Sequence, residues 1–417
     1  MSRASLILYL GCALLFGSAA NNPAGAAPTG ETGAQGQDSP SAEKALLHKD
    51  DSDAYRREIA RLESAMGAYA DQLPEYLLSL GLNLQQSGQH EAAIDAFKRG
   101  IHLARINDGL YSAQQIPMLQ REISSHIALG QYAKADERQF YLYRVQMRNM
   151  EGGMNRAQAF MQQARWQYNA YRLDLDGQGF ARLMSMWDLY RLALNDIIDR
   201  QGETSHLLVE PLEGMLLAQY LIAAYDVDDV NSHQGGDNVS VQQQLNRFHA
   251  YRAQSYQKGR AVIQAIYDIE LANGGADNRN TANSKVMLGD WLLWHGQWDS
   301  AMNAYQEATA ELVALGDAQE DVEAIFAEPV ALPNFDGARH LPATVPPEQA
   351  NLQVEFDVNK HGKALNIERV DSSDLSSGRA NRVLRTLRKT RFRPQLVMGE
   401  PQDTEGVTRA YEIEQPE

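Results

Sequence analysis

Two stretches far apart in the chain, LGLNLQQSGQHEAAIDAFKRG and LGDWLLWHGQWDSAMNAYQEA, set small and bulky residues in one frame. Leu80, Gly81, Leu84, Gly88, Ala93, Phe97 and Gly100 correspond in order to Leu288, Gly289, Leu292, Gly296, Ala301, Tyr305 and Ala308, at a constant offset of about 208 residues. Residues three, four and seven apart share one face of a helix, so each stretch carries two short apolar stripes with a glycine between them. That glycine lets the chain turn tightly, and the small residues on either side let two antiparallel helices approach closely. ISSHIALGQYAKADERQF is a weaker third copy: Gly130 and Ala135 keep the turn and the small position, while Ile123 replaces the first glycine.

This spacing is similar to that of the tetratricopeptide repeat. The resemblance makes Leu80, Gly81, Gly88, Ala93, Phe97, Gly289, Gly296, Ala301 and Tyr305 packing residues of a stacked array. One helical hairpin cannot bury its apolar face alone; stacked neighbours bury a continuous core and leave a concave wall that commonly holds a peptide or protein segment. Function is therefore expected from the surface of the array.

Helical periodicity runs across residues 52–320. YRREIARLESAMGAY places Ile59, Leu62, Met66 and Tyr69 on one face, and ARLMSMWDLYRLALNDIID does the same with Leu183, Trp187, Tyr190, Leu194 and Ile197. Asp226 to Asn238 reads as a polar loop, and Tyr251 to Gly274 as one long helix. Prolines at 329, 333, 342, 346 and 347 then mark a linker over 321–350, with few contacts expected across it, so that a chain ending near Leu332 should stay folded and helical. Beyond it the period falls to two. Leu352, Val354, Phe356 and Val358 alternate with polar residues, the chain turns at Gly362, and Leu365, Ile367 and Arg369 alternate again. Ala380, Val383, Leu384 and Leu387 define an amphipathic helix, and a last strand runs from Val407 to Ile413. The expected fold is mostly α, a tetratricopeptide-like helical-hairpin array followed by a small α+β domain of β-β-α-β order over 351–417.

A length of 417 residues allows two to three domains, and the 44% apolar and 22% charged shares are those of an ordinary soluble chain. The formal net charge of -16 disfavours nucleic acid as a partner. Arg3 and the apolar run ASLILYLGCALLFGSAA read as a signal peptide over 1–20, cleaved near Ala20, and the Ala-, Gly-, Pro- and Ser-rich 21–51 as a disordered linker. Cys12, the only cysteine, lies in that signal, where Leu10-Gly11-Cys12 is also compatible with lipidation. A mature chain without cysteine has no disulfide and no thiol chemistry.

The tail carries a second resemblance. LQVEFDVNKHGKALNIERVDSS, a helix, RFRP, MGEP and the closing GVTRAYEI resemble the C-terminal domain of TonB-type energy transducers, over roughly Leu352 to Ile413. In that family the domain is periplasmic and captures a short segment of an outer-membrane transporter by strand addition at a sheet edge. The resemblance implies envelope proteins as partners, among them an outer-membrane transporter or components of a TonB-type system. It makes Val407, Arg409, Tyr411 and Ile413 of the last strand candidate partner-binding residues, with an open backbone edge. The proline-rich spacer of a transducer is missing here, and a helical array takes its place. The expected function is a non-enzymatic periplasmic adaptor; the alternative is an energy transducer whose N-terminal segment is retained as membrane anchor.

Seven cations, Arg379, Arg382, Arg385, Arg388, Lys389, Arg391 and Arg393, crowd the tail of this acidic protein. They form either the solvated face of a helix or a patch for an anionic protein, lipid or glycan, which adds Arg382 and Arg385 as candidate partner-binding residues and allows peripheral membrane association. Catalytic patterns fail on inspection. His90-Glu91 lacks the second histidine of a zinc-protease pair, since Ile94 holds that position, and the loop from Asp174 to Gly179 would meet Ser185 where a calcium loop needs a glutamate. No catalytic, cofactor-binding or metal-binding residue is assigned.

Overall fold

The computed structural model describes residues 40–175, 177, 179–226, 239–275, 279–315, 318–371 and 377–413. The signal peptide, Cys12, residues 21–39 of the expected linker and the loop over 227–238 lie outside them. The chain divides into two compact units between Asp196 and Ile197.

Among the described residues the elements of the first unit are all helices: α1 (Pro40–Met66), α2 (Leu73–Gln86), α3 (His90–Asp108), α4 (Gln115–Ala128), α5 (Tyr132–Asn149), α6 (Met154–Arg172) and the body of α7 (Gly179–Gln201). α1 opens on Pro40, a residue suited to a first helical turn, and runs through a stretch rich in Ala, Leu, Glu and Lys, so 40–51 is helix and not the disordered linker its neighbours suggest. It also stops at Met66. Ile59 and Leu62 are buried while Met66 and Tyr69 are exposed, which cuts the expected four-residue face in half.

The hairpin of α2 and α3 follows the frame. A Cβ added to Gly81 would lie 2.3 Å from the Phe97 ring, so the glycine is what lets the ring in, and Gly88 turns the chain at φ 72°. Leu80, Ala93 and Phe97 are buried. In the third copy Ile123 and Ala135 are buried, and the frame position of the ring is Gln139, also buried. Bulk has moved from one helix of the hairpin to the other. The stripe Leu183, Trp187, Tyr190, Leu194 and Ile197 of α7 is buried as expected. Two buried charges in this unit are paired with less buried partners: Glu122 with Arg138 at 2.6 Å, and Arg182 with Asp136 at 2.7 Å.

The second unit starts with a 3-10 turn (His206–Leu208) and continues with α8 (Val209–Ala224), α9 (Val239–Ala253), α10 (Ser255–Gly274), α11 (Arg279–Trp294), α12 (Trp298–Ala314) and α13 (Ala318–Phe326). His206–Ala224 is long and apolar enough to cross a membrane, but α8 packs along α10 and about half of the stretch is buried in the protein, as in a core helix. The helix expected from Tyr251 to Gly274 is broken at Gln254, and Ser255 donates its hydroxyl to the Gln219 carbonyl at 3.0 Å. α11 and α12 repeat the α2–α3 hairpin. An added Cβ on Gly289 would lie 2.3 Å from the Tyr305 ring, Gly296 turns the chain at φ 79°, and Ala301 and Tyr305 are fully buried.

Gly81→Leu and Gly289→Leu are each expected to cost about 1–3 kcal/mol by overpacking, since the ring has no free volume to move into. Thermal unfolding measures this, and a variant that melts with the wild type removes the close contact from the account.

After α13 come β1 (Val330–Leu332), a 3-10 turn (Pro347–Gln349), β2 (Leu352–Val358), β3 (Ala364–Arg369), α14 (Ser377–Lys389), β4 (Arg391–Arg393), β5 (Gln395–Val397), β6 (Glu400–Gln402) and β7 (Thr404–Tyr411). The β-β-α-β order is present as β2, β3, α14 and β7, in an antiparallel sheet ordered β3-β2-β7. Leu352, Val354, Phe356 and Val358 face a core closed by Val383, Leu387 and Phe392. The alternation expected along β3 breaks at Asn366, whose φ of 51° inserts a residue, so that Leu365 turns out to solvent while Ile367 packs inward.

Contacts cross the proline-rich stretch, contrary to the sequence-based expectation. β1 pairs with β4, and Leu332 and Leu396 join the core of α11 and α12. Phe335 lies 5.9 Å from the Tyr220 ring, and His361 of the Gly362 turn lies 5.2 Å from Trp298. Prolines stop helices, but they leave extended segments free to pair and pack.

Candidate interaction site

The second unit has an open groove of about 430 Å³ between α10, α11 and α12. Ile263, Leu288, Leu292 and Ala304 make its apolar floor, and Gln264 and Asn303 place amides on its rim. Lys285 closes one end, its Nζ 2.7 Å from Glu307 and 3.0 Å from Glu311. Burial works against the charge of Lys285, but the two carboxylates outweigh it and raise its pKa above that of a free lysine. Apolar floor, amide rim and fixed charge together suit a protein segment: the floor takes a side chain and the amides take backbone groups. Leu288 and Leu292 belong to the repeat frame. Lys285 and Asn303 were not singled out in the sequence, where polar residues on one helix face carry no spacing signature.

Behind the groove sits a polar socket that sequence reading missed. Tyr305 donates to Asp290 at 2.7 Å, and Arg393 of β4 reaches the same carboxylate at 3.2 Å. Both charged side chains are under 10% exposed. Burial pushes the Asp290 pKa up, and the Arg393 charge with the Tyr305 hydrogen bond works against that rise. The signal was available in the frame: Asp290 holds the position of Leu82, and Tyr305 that of Phe97. Arg393, expected on the solvated face of the cation cluster, is instead a core residue.

An aromatic cluster surrounds His295, with Trp291 at 4.4 Å, Trp294 at 4.8 Å and Tyr256 at 5.1 Å between ring centres. Burial alone lowers the His295 pKa from 6.5 to about 4. A depressed folded pKa stabilises the protein fully above the unfolded pKa, and that contribution is lost as pH falls from 6.5 through 4. Melting temperature is therefore expected to fall across this window, with a shallower slope for His295→Phe. An unchanged slope in that variant would assign the acid sensitivity to carboxylates.

The tail places the sequence candidates differently from one another. Val407 and Tyr411 are buried in the core of the sheet, and Ile413 packs against it, its backbone held by both polar atoms of the Asn351 side chain at 2.8 Å. Arg409 pairs with Glu328 at 3.0 Å. The outer edge of β7 is not open along its C-terminal half: Val345 donates to the Ala410 carbonyl at 3.0 Å and Thr344 bridges to Tyr411. The alternation that singled these residues out is that of a core face. Arg382 and Arg385 lie exposed on α14. Among the described residues no group of three His, Cys, Asp or Glu side chains is placed to hold a metal ion.

No protein-family model and no curated protein matches the chain. Among solved structures it is similar to BtubC (BKLC) from P. vanneervenii, at 13% identity and a TM-score of 0.36, over 67% of this chain and 93% of that one. It is also similar to a Podosopora anserina protein with nearly identical TPR-like repeats, at 10% identity and a TM-score of 0.36, over 59% of this chain and 98% of that one.

Proposed function

We propose that this chain is a non-enzymatic adaptor of the bacterial envelope that holds a segment of a partner protein in the groove between α10, α11 and α12. The observation that carries the reading is the groove itself, with an apolar floor and amide rim between three packed helices. The periplasmic setting rests on the signal-like run before Ala20, and association with TonB-type outer-membrane transport rests on the resemblance of Leu352 to Ile413. A photo-crosslinking residue placed at Asn303 in the native host is expected to capture an envelope protein, and Leu288→Glu to abolish the capture. Capture that survives Leu288→Glu would move the site off the groove. Periplasmic release of a chain that starts after Ala20 tests the setting; a chain retained in the inner membrane with Met1 intact would favour the transducer.

A further inference from the structure

A pocket of about 190 Å³ lies where the proline-bearing segment 329–344 crosses β4 and β7. Its apolar wall includes Ala331, Leu341 and Phe392, all of which pack with the core of the tail sheet. The segment is pinned at both ends, by the pairing of β1 with β4 and by the bridge from Thr344 to Tyr411, so the pocket is built into the fold. Its charge is one-sided. In a chain with 54 acidic and 38 basic residues, Arg339, His340 and Arg409 line the pocket and no Asp or Glu does. The carboxylates that hold the two arginines stand in solvent: Glu328, 3.0 Å from Arg409, has a side chain 74% exposed, and Asp336, 3.1 Å from Arg339, one 93% exposed. Exposed pairs of this kind contribute little. Tyr411 supplies a neutral donor. It is 2% exposed, and among the described residues no group hydrogen-bonds to its hydroxyl. Arg409 and Tyr411 lie opposite Val354 and Leu352, on the core face of the sheet. Burial raises the Tyr411 pKa and the Arg409 charge works against that rise, as a guanidinium close to the phenol does. A buried hydroxyl without a partner costs stability, and a ligand oxygen that accepts from it removes that cost.

We infer that this pocket binds a small monocarboxylate whose apolar body is about the size of one ring. The Arg409 guanidinium and the Tyr411 hydroxyl take the carboxylate through charge-assisted hydrogen bonds, and Ala331, Leu341 and Phe392 surround the body. Volume sets the size of that body. A cavity of about 150 Å³ holds benzene, so about 190 Å³ holds a ring together with its carboxylate. Inorganic phosphate is the poorer ligand, because the apolar wall leaves part of its oxygen surface without donors.

The test uses the full chain and 4-fluorobenzoate, followed by fluorine NMR. Saturable binding is expected, with 4-fluorobenzamide bound about tenfold more weakly or worse. Arg409→Gln is expected to weaken benzoate binding about tenfold or more, and Tyr411→Phe severalfold. Glu328→Gln works in the opposite direction: it releases Arg409 from a competing carboxylate and tightens binding. Tyr411→Phe deletes a hydroxyl that has no partner, so it should melt at or above the wild-type temperature, which separates loss of binding from loss of fold. Leu288→Glu, in the helical groove, leaves the affinity as it was. Absence of saturable binding, equal affinity for the benzamide, tighter binding of inorganic phosphate, unchanged affinity in both Arg409→Gln and Tyr411→Phe, weaker binding by Glu328→Gln, a marked drop in melting for Tyr411→Phe, or lost affinity in Leu288→Glu would each overturn the assignment.

Discussion

Arg393→Met is expected to lower the melting temperature of the second unit by roughly 6–20 °C. Removing one partner of a buried ion pair costs about 3–5 kcal/mol, because the other charge stays behind without water, and a unit of this size loses roughly 2–4 °C per kcal/mol. The pH dependence of the variant is diagnostic. Burial already raises the Asp290 pKa, and losing the Arg393 charge raises it further. A raised folded pKa gives stability that is full below the unfolded value and is lost as pH rises through the folded one, so the variant should recover toward wild type in acid. The first hairpin supplies the control. It carries the apolar pair Leu82 and Phe97 at the same two frame positions, so Asp290→Leu, Tyr305→Phe and Arg393→Met combined should melt near the wild type. A triple variant as unstable as Arg393→Met alone would mean that the loss came from packing and not from an orphaned charge.

Ending the chain after Leu332 is expected to unfold α11 and α12. The cut removes Arg393 from Asp290, Leu396 from the shared core and β4 from β1. The pair alone is worth about 3–5 kcal/mol when one side is lost, and a buried leucine about 1.5–3 kcal/mol, a sum comparable with the whole stability of an ordinary domain. Trp291, Trp294 and Trp298 all sit in this hairpin, so their fluorescence should shift to the red in the truncated chain. Adding Asp290→Leu should recover part of the loss. A truncated chain with native tryptophan emission would restore the expectation of an independent array.

The repeat frame was legible because a constant offset recurs in residue type, and the tail sheet because its period is two. Asn366 and Gln254 were not, since a one-residue insertion or a helix break leaves hydrophobic spacing nearly unchanged. Arg393 was hidden for a different reason. It stands in a run of cations of which Arg382, Arg385, Arg388, Lys389 and Arg391 do face solvent, and charge alone does not say which of seven finds a buried carboxylate 103 residues away. Of the groove, Leu288 and Leu292 could be read from the frame, while Lys285 and Asn303 needed the third helix to be in place. The last strand was read correctly as alternating, but alternation does not say whether its edge is already taken.

The contact between a glycine and a facing ring has a consequence for how such a chain drifts. Neither Gly81 nor Phe97 can change alone: a side chain on the first collides with the ring, and a smaller second residue leaves a void. Change must pass through an unfavourable intermediate, and the third copy, with Ile123 and Gln139 in the same two positions, looks like the far side of that passage. Volume, summed over the two positions, is the quantity under constraint. A search keyed to the glycine alone would lose the third hairpin, whereas one keyed to the pair would keep it.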